Sequence, residues 1–172
     1  GGKKNRREIF KHNNYQIAKY LCEKKLTQIK DPKVNFAIFR LFNLYGLKKK
    51  NENIIHDIKQ KILNSKNSQV EIINPKSTRD FIFISDVISL VIKSLKYKNL
   101  DNSIFEVGTG KGVSIEQLYK TINNQLKKKT KFILSKQSYD KIKHTKANII
   151  NTKKKFKWKP IYDLRKGLSK IF

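Results

Sequence analysis

The sequence predicts an α/β fold built on a parallel sheet, and three observations carry that prediction. Two runs, Val34 to Leu41 and Ile104 to Val107, are apolar without alternation, as strands covered on both faces must be. Around them lie segments with apolar residues at helical spacing and clear start signals, so strand and helix alternate along the chain. At 172 residues the chain is also long enough for one domain with a proper core.

The elements follow in order. After a polar lead with Lys3, Lys4, Arg6 and Arg7, the segment from about Asn14 to Gln28 spaces Ile17, Tyr20, Leu21 and Leu26 as a helix does, and Asp31-Pro32 closes it. The strand Val34 to Leu41 ends at Arg40, Phe42, Asn43, Tyr45 and Gly46, polar and aromatic groups where open α/β sheets bind ligands. Asn53 to Leu63 reads as a second helix, Val70 to Ile73 as a short strand, and Asn74-Pro75 as a turn. Ser77-Thr78-Arg79-Asp80 leads into the apolar run Phe81 to Ile84. Ser85 is the expected N-cap, with Asp86 in the first turn, of an apolar helix reaching about Leu95. Strand Ile104 to Val107 runs into Gly108-Thr109-Gly110-Lys111-Gly112. Ser114 and Gln117 then have the spacing of a capping box, opening a helix to about Leu126. Phe132 to Leu134 is a brief strand. The tail holds a short helix near Thr152 to Phe156, Trp158-Lys159-Pro160, and a last helix from about Asp163.

Composition excludes several classes. With 38% hydrophobic and 10% aromatic residues the chain is globular rather than disordered. One cysteine, Cys22, rules out a disulfide framework and a cysteine-based zinc site and suggests a reducing compartment. No apolar run has the length of a membrane span and no signal peptide is present, so a cytoplasmic protein without a membrane partner is expected. The net charge of +27 comes mostly from lysines spread along the whole chain, and the dense runs at Lys48 to Lys50, Lys127 to Lys129 and Lys153 to Lys155 lack interleaved aromatics. That pattern predicts only non-specific, salt-sensitive contact with nucleic acid. The chain has no methionine and starts Gly1-Gly2, which reads as the later part of a longer protein.

Tyr15 and Lys19, four residues apart on the first helix, project from one face. An ammonium beside a phenol favours the phenolate, which makes Tyr15 a candidate general acid/base. Bringing a phenol to near-neutral pKa takes about 4 kcal/mol, more than one ammonium supplies, so a bound cationic cofactor is also required. The same spacing describes an ordinary amphipathic helix. Arg79 is a candidate phosphate grip, because a guanidinium offers two parallel hydrogen bonds and keeps its charge; pairing with Asp80 is its alternative. The glycine-rich turn after Val107 resembles the first motif of S-adenosylmethionine-dependent methyltransferases. No acid follows the next strand to hold ribose hydroxyls, however, and a structural turn is expected. His12, His56 and His144 lie far apart without metal spacing.

Taken together, Tyr15-x-x-x-Lys19, Phe39 to Gly46, Thr78 to Val87, Phe105 to Ser114, and Trp158-Lys159-Pro160 with Gly167-Leu168 resemble, in that order, the NAD-dependent epimerase/dehydratase family of extended short-chain dehydrogenases. The resemblance implies the C-terminal part of a Rossmann-like parallel sheet plus a small α/β substrate-binding domain. Residues 1–48 would finish the NAD-binding domain, 49–172 would form mainly the substrate domain, and 85–108 would return to the sheet. It implies a nucleotide-sugar epimerase or dehydratase that passes hydride between a sugar carbon and NAD. In that reaction Tyr15 is the acid/base, and Lys19 lowers its pKa and bonds the nicotinamide ribose. Phe42 lies near the nicotinamide, Asn43 and Asn53 contact the nucleotide sugar, and Arg79 holds its pyrophosphate. The NAD-binding half with its own glycine-rich loop would precede Gly1, so this chain by itself is expected to be inactive, and the complete enzyme to be a homodimer. Many members carry an arginine where Ser138 stands; Lys136 or Lys143 would be its substitute. A methyltransferase and a non-catalytic basic fragment that binds nucleic acid are the remaining alternatives.

Overall fold

The computed structural model describes residues 14–46, 53–135 and 144–172. The readings at His12, Lys48 to Lys50, Lys136, Ser138 and Lys143 lie outside the described residues. The chain opens with helix α1 (Asn14–Thr27), followed by strands β1 (Ala37–Leu41) and β2 (Asn43–Tyr45), helix α2 (Ile54–Leu63) and strand β3 (Gln69–Ile72). Next come β4 (Thr78–Arg79), β5 (Phe81–Phe83), α3 (Ile84–Ser94), β6 (Ser103–Val107), β7 (Val113–Ser114) and α4 (Ile115–Gln125). Strand β8 (Lys131–Leu134) and the short helices α5 (Ile150–Phe156) and α6 (Leu164–Leu168) complete it.

Three of the strand pairs among the described residues are parallel. β1 lies along β6 from Ala37 opposite Ser103 to Leu41 opposite Val107, β2 along β5, and β3 along β8. β4 and β7 pair antiparallel. Only Phe42 separates β1 from β2; its N–H donates to Val107 O at 2.9 Å, and the next N–H, of Asn43, donates to Asp80 O at 2.9 Å. The chain thus passes from the β6 ladder to the β5 ladder within two residues. That brings the ends of β1 and β6 beside the start of β5.

Two apolar clusters hold these pairs. One gathers Ile55, Ile58 and Ile62 of α2 with Val70, Ile72, Leu118, Tyr119, Ile122 and Leu168. The other gathers Ile82, Val87, Leu90, Phe105, Val107, Phe156 and Trp158. Helices α2 and α4 enter the first cluster because their apolar residues recur every three to four positions. Each fully buried Leu or Ile contributes about 1.5–3 kcal/mol. Helix α1 has no buried residue. No helix among the described residues is long and apolar enough to cross a membrane.

The capping box is present: Ser114 Oγ accepts from Gln117 N, and Gln117 Oε1 accepts from Ser114 N, both at 3.0 Å. Asn53 caps α2 and Asp163 caps α6. Some expectations shift. The strand expected from Val34 begins at Ala37, because the preceding residues bond to the 98–102 turn instead of a ladder: Phe36 N donates to Asn102 Oδ1, and Leu100 N to Asn35 Oδ1. Ser85 does not cap α3. The helix starts two residues earlier, Phe83 takes the extended N-cap position without a side-chain bond, and Ser85 falls inside the first turn. Tyr45, read as part of a ligand-facing group, is instead in the core, edge-on to Phe81 with its hydroxyl 3.5 Å from Asp163 O.

Candidate active site

Helix α1 carries Tyr15 and Lys19 on one exposed face. Tyr15 is 68% exposed, and the Lys19 ammonium stands 5.5 Å from the centre of its ring. At that separation the cation is attracted to the ring face and is positioned to interact with the phenol. The pair is therefore accessible to a ligand. Further along the same helix, Glu23 accepts a two-pronged hydrogen bond from Arg40 on β1, Nε to Oε1 at 2.8 Å and Nη2 to Oε2 at 2.5 Å.

The end of β1 supplies the next residues. Phe42 and Asn43 are half-buried where the two parallel ladders meet. The Asn43 side-chain nitrogen donates to Asp80 O at 3.1 Å, which leaves its amide oxygen as the group to meet a ligand donor. Arg79, the residue before Asp80, is half-buried, and its Nη1 donates to Thr78 O at 3.0 Å. Asn43 and Arg79 are thus gathered around one backbone segment. Asn53 sits elsewhere, capping α2, and its Oδ1 is committed to His56 N at 3.0 Å.

Asp80 shows why Arg79 and the glycine turn have different roles. Its carboxylate has no solvent exposure. Oδ1 accepts from Thr109 N at 2.8 Å and Thr109 Oγ1 at 2.6 Å, and Oδ2 from Gly110 N at 2.9 Å and Ala147 N at 3.1 Å. A glycine turn whose amides would suit a phosphate is here filled by a carboxylate of the chain itself. It is a structural turn, as the sequence suggested. Gly108 has no room for a side chain, since a Cβ there would lie 2.6 Å from Asp80 Oδ2 and from the Ala147 methyl.

Two further features escaped sequence reasoning. His144, which the sequence offered only as a histidine without metal spacing, is exposed and also adjoins the site: its Nδ1 is 3.0 Å from Thr78 Oγ1, and the next residue, Thr145, donates its N–H to Thr78 O at 3.1 Å. No local pattern brings residue 144 to residue 78. Asp86, expected only to favour a helix start, is 1% exposed, and its carboxylate accepts Ile161 N at 3.0 Å and Tyr162 N at 3.1 Å. A cavity of about 710 Å³ lined by residues including Lys111, Lys153, Lys159 and Arg165 contains none of the expected site residues.

An exposed phenol with an adjoining ammonium can bond hydroxyls, and the turn at Gly108 cannot also cradle the dinucleotide phosphates, because Asp80 holds its amides.

A sequence model described as the NAD dependent epimerase/dehydratase family matches residues 3–108. CDP-abequose synthase of Salmonella muenchen is 29% identical over 171 residues, covering 94% of this chain and 57% of that protein. Among solved structures, UDP-glucose 4-epimerase of Thermotoga maritima with UDP-glucose superposes with a TM-score of 0.79 at 21% identity, over 91% of this chain and 51% of the other. UDP-glucose 4-epimerase of Stenotrophomonas maltophila, with bound NAD and formylated UDP-arabinopyranose, gives 0.77 at 20% identity, over 91% and 52%. The chain spans about half the length of the curated relatives it matches.

Proposed function

The chain belongs to the NAD-dependent epimerase/dehydratase family, and from that premise we propose that it carries the acid/base and sugar-binding part of a nucleotide-sugar epimerase or dehydratase. The observation that carries the proposal is the exposed Tyr15 with Lys19 beside its ring, inside the matched stretch. The family's cofactor, NAD, supplies hydride acceptance and return at the sugar carbon when bound. Tyr15 Oη removes the proton from the adjacent sugar hydroxyl and gives it back. Lys19 favours the ionised phenol and hydrogen-bonds the nicotinamide ribose, and Phe42 borders the ring.

On the sugar side, the Asn43 amide oxygen accepts from a sugar hydroxyl. Because the Asn53 oxygen is held by its helix cap, its contact falls to the amide nitrogen. Arg79 grips the pyrophosphate. The dinucleotide phosphates are held outside this chain, by an NAD-binding half that the complete protein supplies, and the chain by itself does not hold NAD firmly. Residues 1–48 complete the dinucleotide domain, 85–108 return to its sheet, and the remainder forms the substrate domain. The complete enzyme works as a homodimer in the cytoplasm.

The test uses the complete protein and a panel of UDP-, CDP- and dTDP-hexoses. Tyr15→Phe is expected to abolish nearly all turnover while nucleotide-sugar binding persists; retained turnover refutes the acid/base role. Arg79→Ala is expected to raise KM at least tenfold, the loss of one charge-assisted bond of about 1.5–3 kcal/mol, and to weaken UDP or CDP binding by calorimetry. Unchanged diphosphate affinity refutes the grip.

A further inference from the structure

We propose that Arg40 and Glu23 are positioning residues that fix the rotation of α1 about its own axis, and with it the direction in which Tyr15 and Lys19 project. The inference rests on the acid/base reading of Tyr15. Its first support is that α1 fully buries none of its residues, with only Ile17, Tyr20 and Glu23 half-buried, so the side-chain packing that orients it is slight. Its second is periodicity. Positions 15, 19 and 23 advance by about 40° per step at 100° per residue, so all three lie within about 80° of one face. Whatever holds Glu23 therefore holds the face of the acid/base pair.

The hold is a two-point one. Arg40 donates from Nε at 2.8 Å and from Nη2 at 2.5 Å to the two oxygens of one carboxylate. Two parallel bonds fix orientation, whereas an ammonium at the same place would fix only distance. The hydrogen bond that Arg40 donates to Glu23 raises the Arg40 pKa above its ordinary value, with Glu106 adding a favourable charge. Arg40 stands opposite Glu106 in the β1–β6 ladder. Glu106 Oε2 in turn accepts Asn148 N at 2.7 Å, beside Ala147, whose N–H donates to Asp80. A continuous series of charged and hydrogen-bonded groups thus runs from the acid/base helix, across the strand that leads to Phe42 and Asn43, to the residue next to Arg79.

Both partners of the bridge keep solvent exposure, 45% for the Arg40 side chain and 20% for Glu23. Exposed ion pairs contribute little to folding stability. The expected signature is a loss of rate at nearly constant stability, because misplacing a catalytic group by about 1 Å costs on the order of 100-fold in rate.

Two measurements test this. In the chain as given, Cys22 is the single cysteine and is exposed, so a nitroxide attached there reports on the roll of α1 through broadening of the amide resonances of residues 41–46. Arg40→Lys, which keeps the charge and removes the fork, is expected to change that broadening profile, and Glu23→Gln, which removes one oxygen acceptor of the fork, to change it in the same sense. An unchanged profile in Arg40→Lys overturns the proposal. In the complete protein, Arg40→Lys is expected to lower kcat about 10- to 100-fold with KM within about twofold and an unaltered melting temperature, and Glu23→Gln to lower kcat in the same way. Full kcat in Arg40→Lys, or a loss confined to KM or to melting temperature, overturns it too. Tyr15→Phe in the same assay separates the two readings. If that variant keeps turnover, the acid/base reading fails whatever the nitroxide shows; if it is inactive while Arg40→Lys keeps full kcat, only the positioning role fails.

Discussion

Asp80→Asn should cost the fold a large share of its stability. The wild-type carboxylate has no solvent exposure and accepts four hydrogen bonds, two on each oxygen. Asparagine replaces one oxygen with an NH2 group, which would then face two donors: Thr109 N and Oγ1 in one orientation, Gly110 N and Ala147 N in the other. Two charge-assisted bonds are lost, at about 1.5–3 kcal/mol each, and the two that remain become neutral. Rotation of the Thr109 hydroxyl can recover one bond, so the net loss should be about 3–5 kcal/mol, against a total stability of about 5–15 kcal/mol for a domain. Urea unfolding followed by the fluorescence of Trp158 measures it. That residue is the single tryptophan, 3% exposed, with Nε1 donating to Asp86 O and Ser89 Oγ. A loss below about 1 kcal/mol at an unchanged denaturant slope would refute the role of Asp80 as the group that satisfies the turn.

Two other substitutions probe the packing of Tyr45. A Cβ at Gly167 would stand 1.9 Å from Tyr45 Oη and 2.7 Å from its Cζ, so Gly167→Ala should destabilise by about 1–3 kcal/mol. Tyr45→Phe should relieve part of that loss in the double variant, and strict additivity in urea unfolding would contradict the contact. Burial pushes the Tyr45 pKa well above its ordinary value, with the charges of Asp163 and Asp86 adding to the shift. The folded state therefore keeps this proton after the unfolded state has lost it. The stability this provides is complete below the unfolded pKa near 10 and declines as pH rises above it, by at most about 1.4 kcal/mol per pH unit. Tyr45→Phe removes that contribution, so the wild-type minus variant stability should fall between about pH 10 and 11. A flat difference over that range would refute the buried neutral phenol.

The elements that were legible in the sequence are those specified locally. The capping box at Ser114 and Gln117, the apolar spacing of α2 and α4, and the unalternating strands β1 and β6 each declare themselves within a dozen residues. Boundaries moved where a distant partner competes with the local signal. Val34 to Phe36 read as strand, but the asparagines at 35 and 102 tie that segment to a turn about 65 residues away in sequence. Tyr45 read as a ligand-facing group because it follows Asn43 in a polar and aromatic stretch; the tertiary packing of Phe81 and Gly167 against its ring removes it from solvent. Of the site, the Tyr15–Lys19 spacing was visible, because helical periodicity alone places the two together. The carboxylates of Asp80 and Asp86 could not be assigned their partners, since the amides they satisfy lie between 29 and 76 residues away.

These placements divide the charged groups into two kinds with different consequences. Asp80 and Asp86 are removed from water and hold loops from several segments, so a change at either is paid in folding. Glu23 and Arg40 remain partly in water, and the helix they attach has 14 residues and no buried side chain. An isolated helix of that length is marginal in water, since initiation is costly and each added residue gains little. On the positioning proposal, the register of Tyr15 is set by interactions weak enough to be altered without unfolding the two apolar clusters. It follows that rate and stability can be changed separately in this protein: substitutions at Asp80 should lower stability first, and substitutions at Arg40 should lower kcat first. A pair of variants that moved both quantities together would mean that α1 is coupled to the core more tightly than its exposure implies.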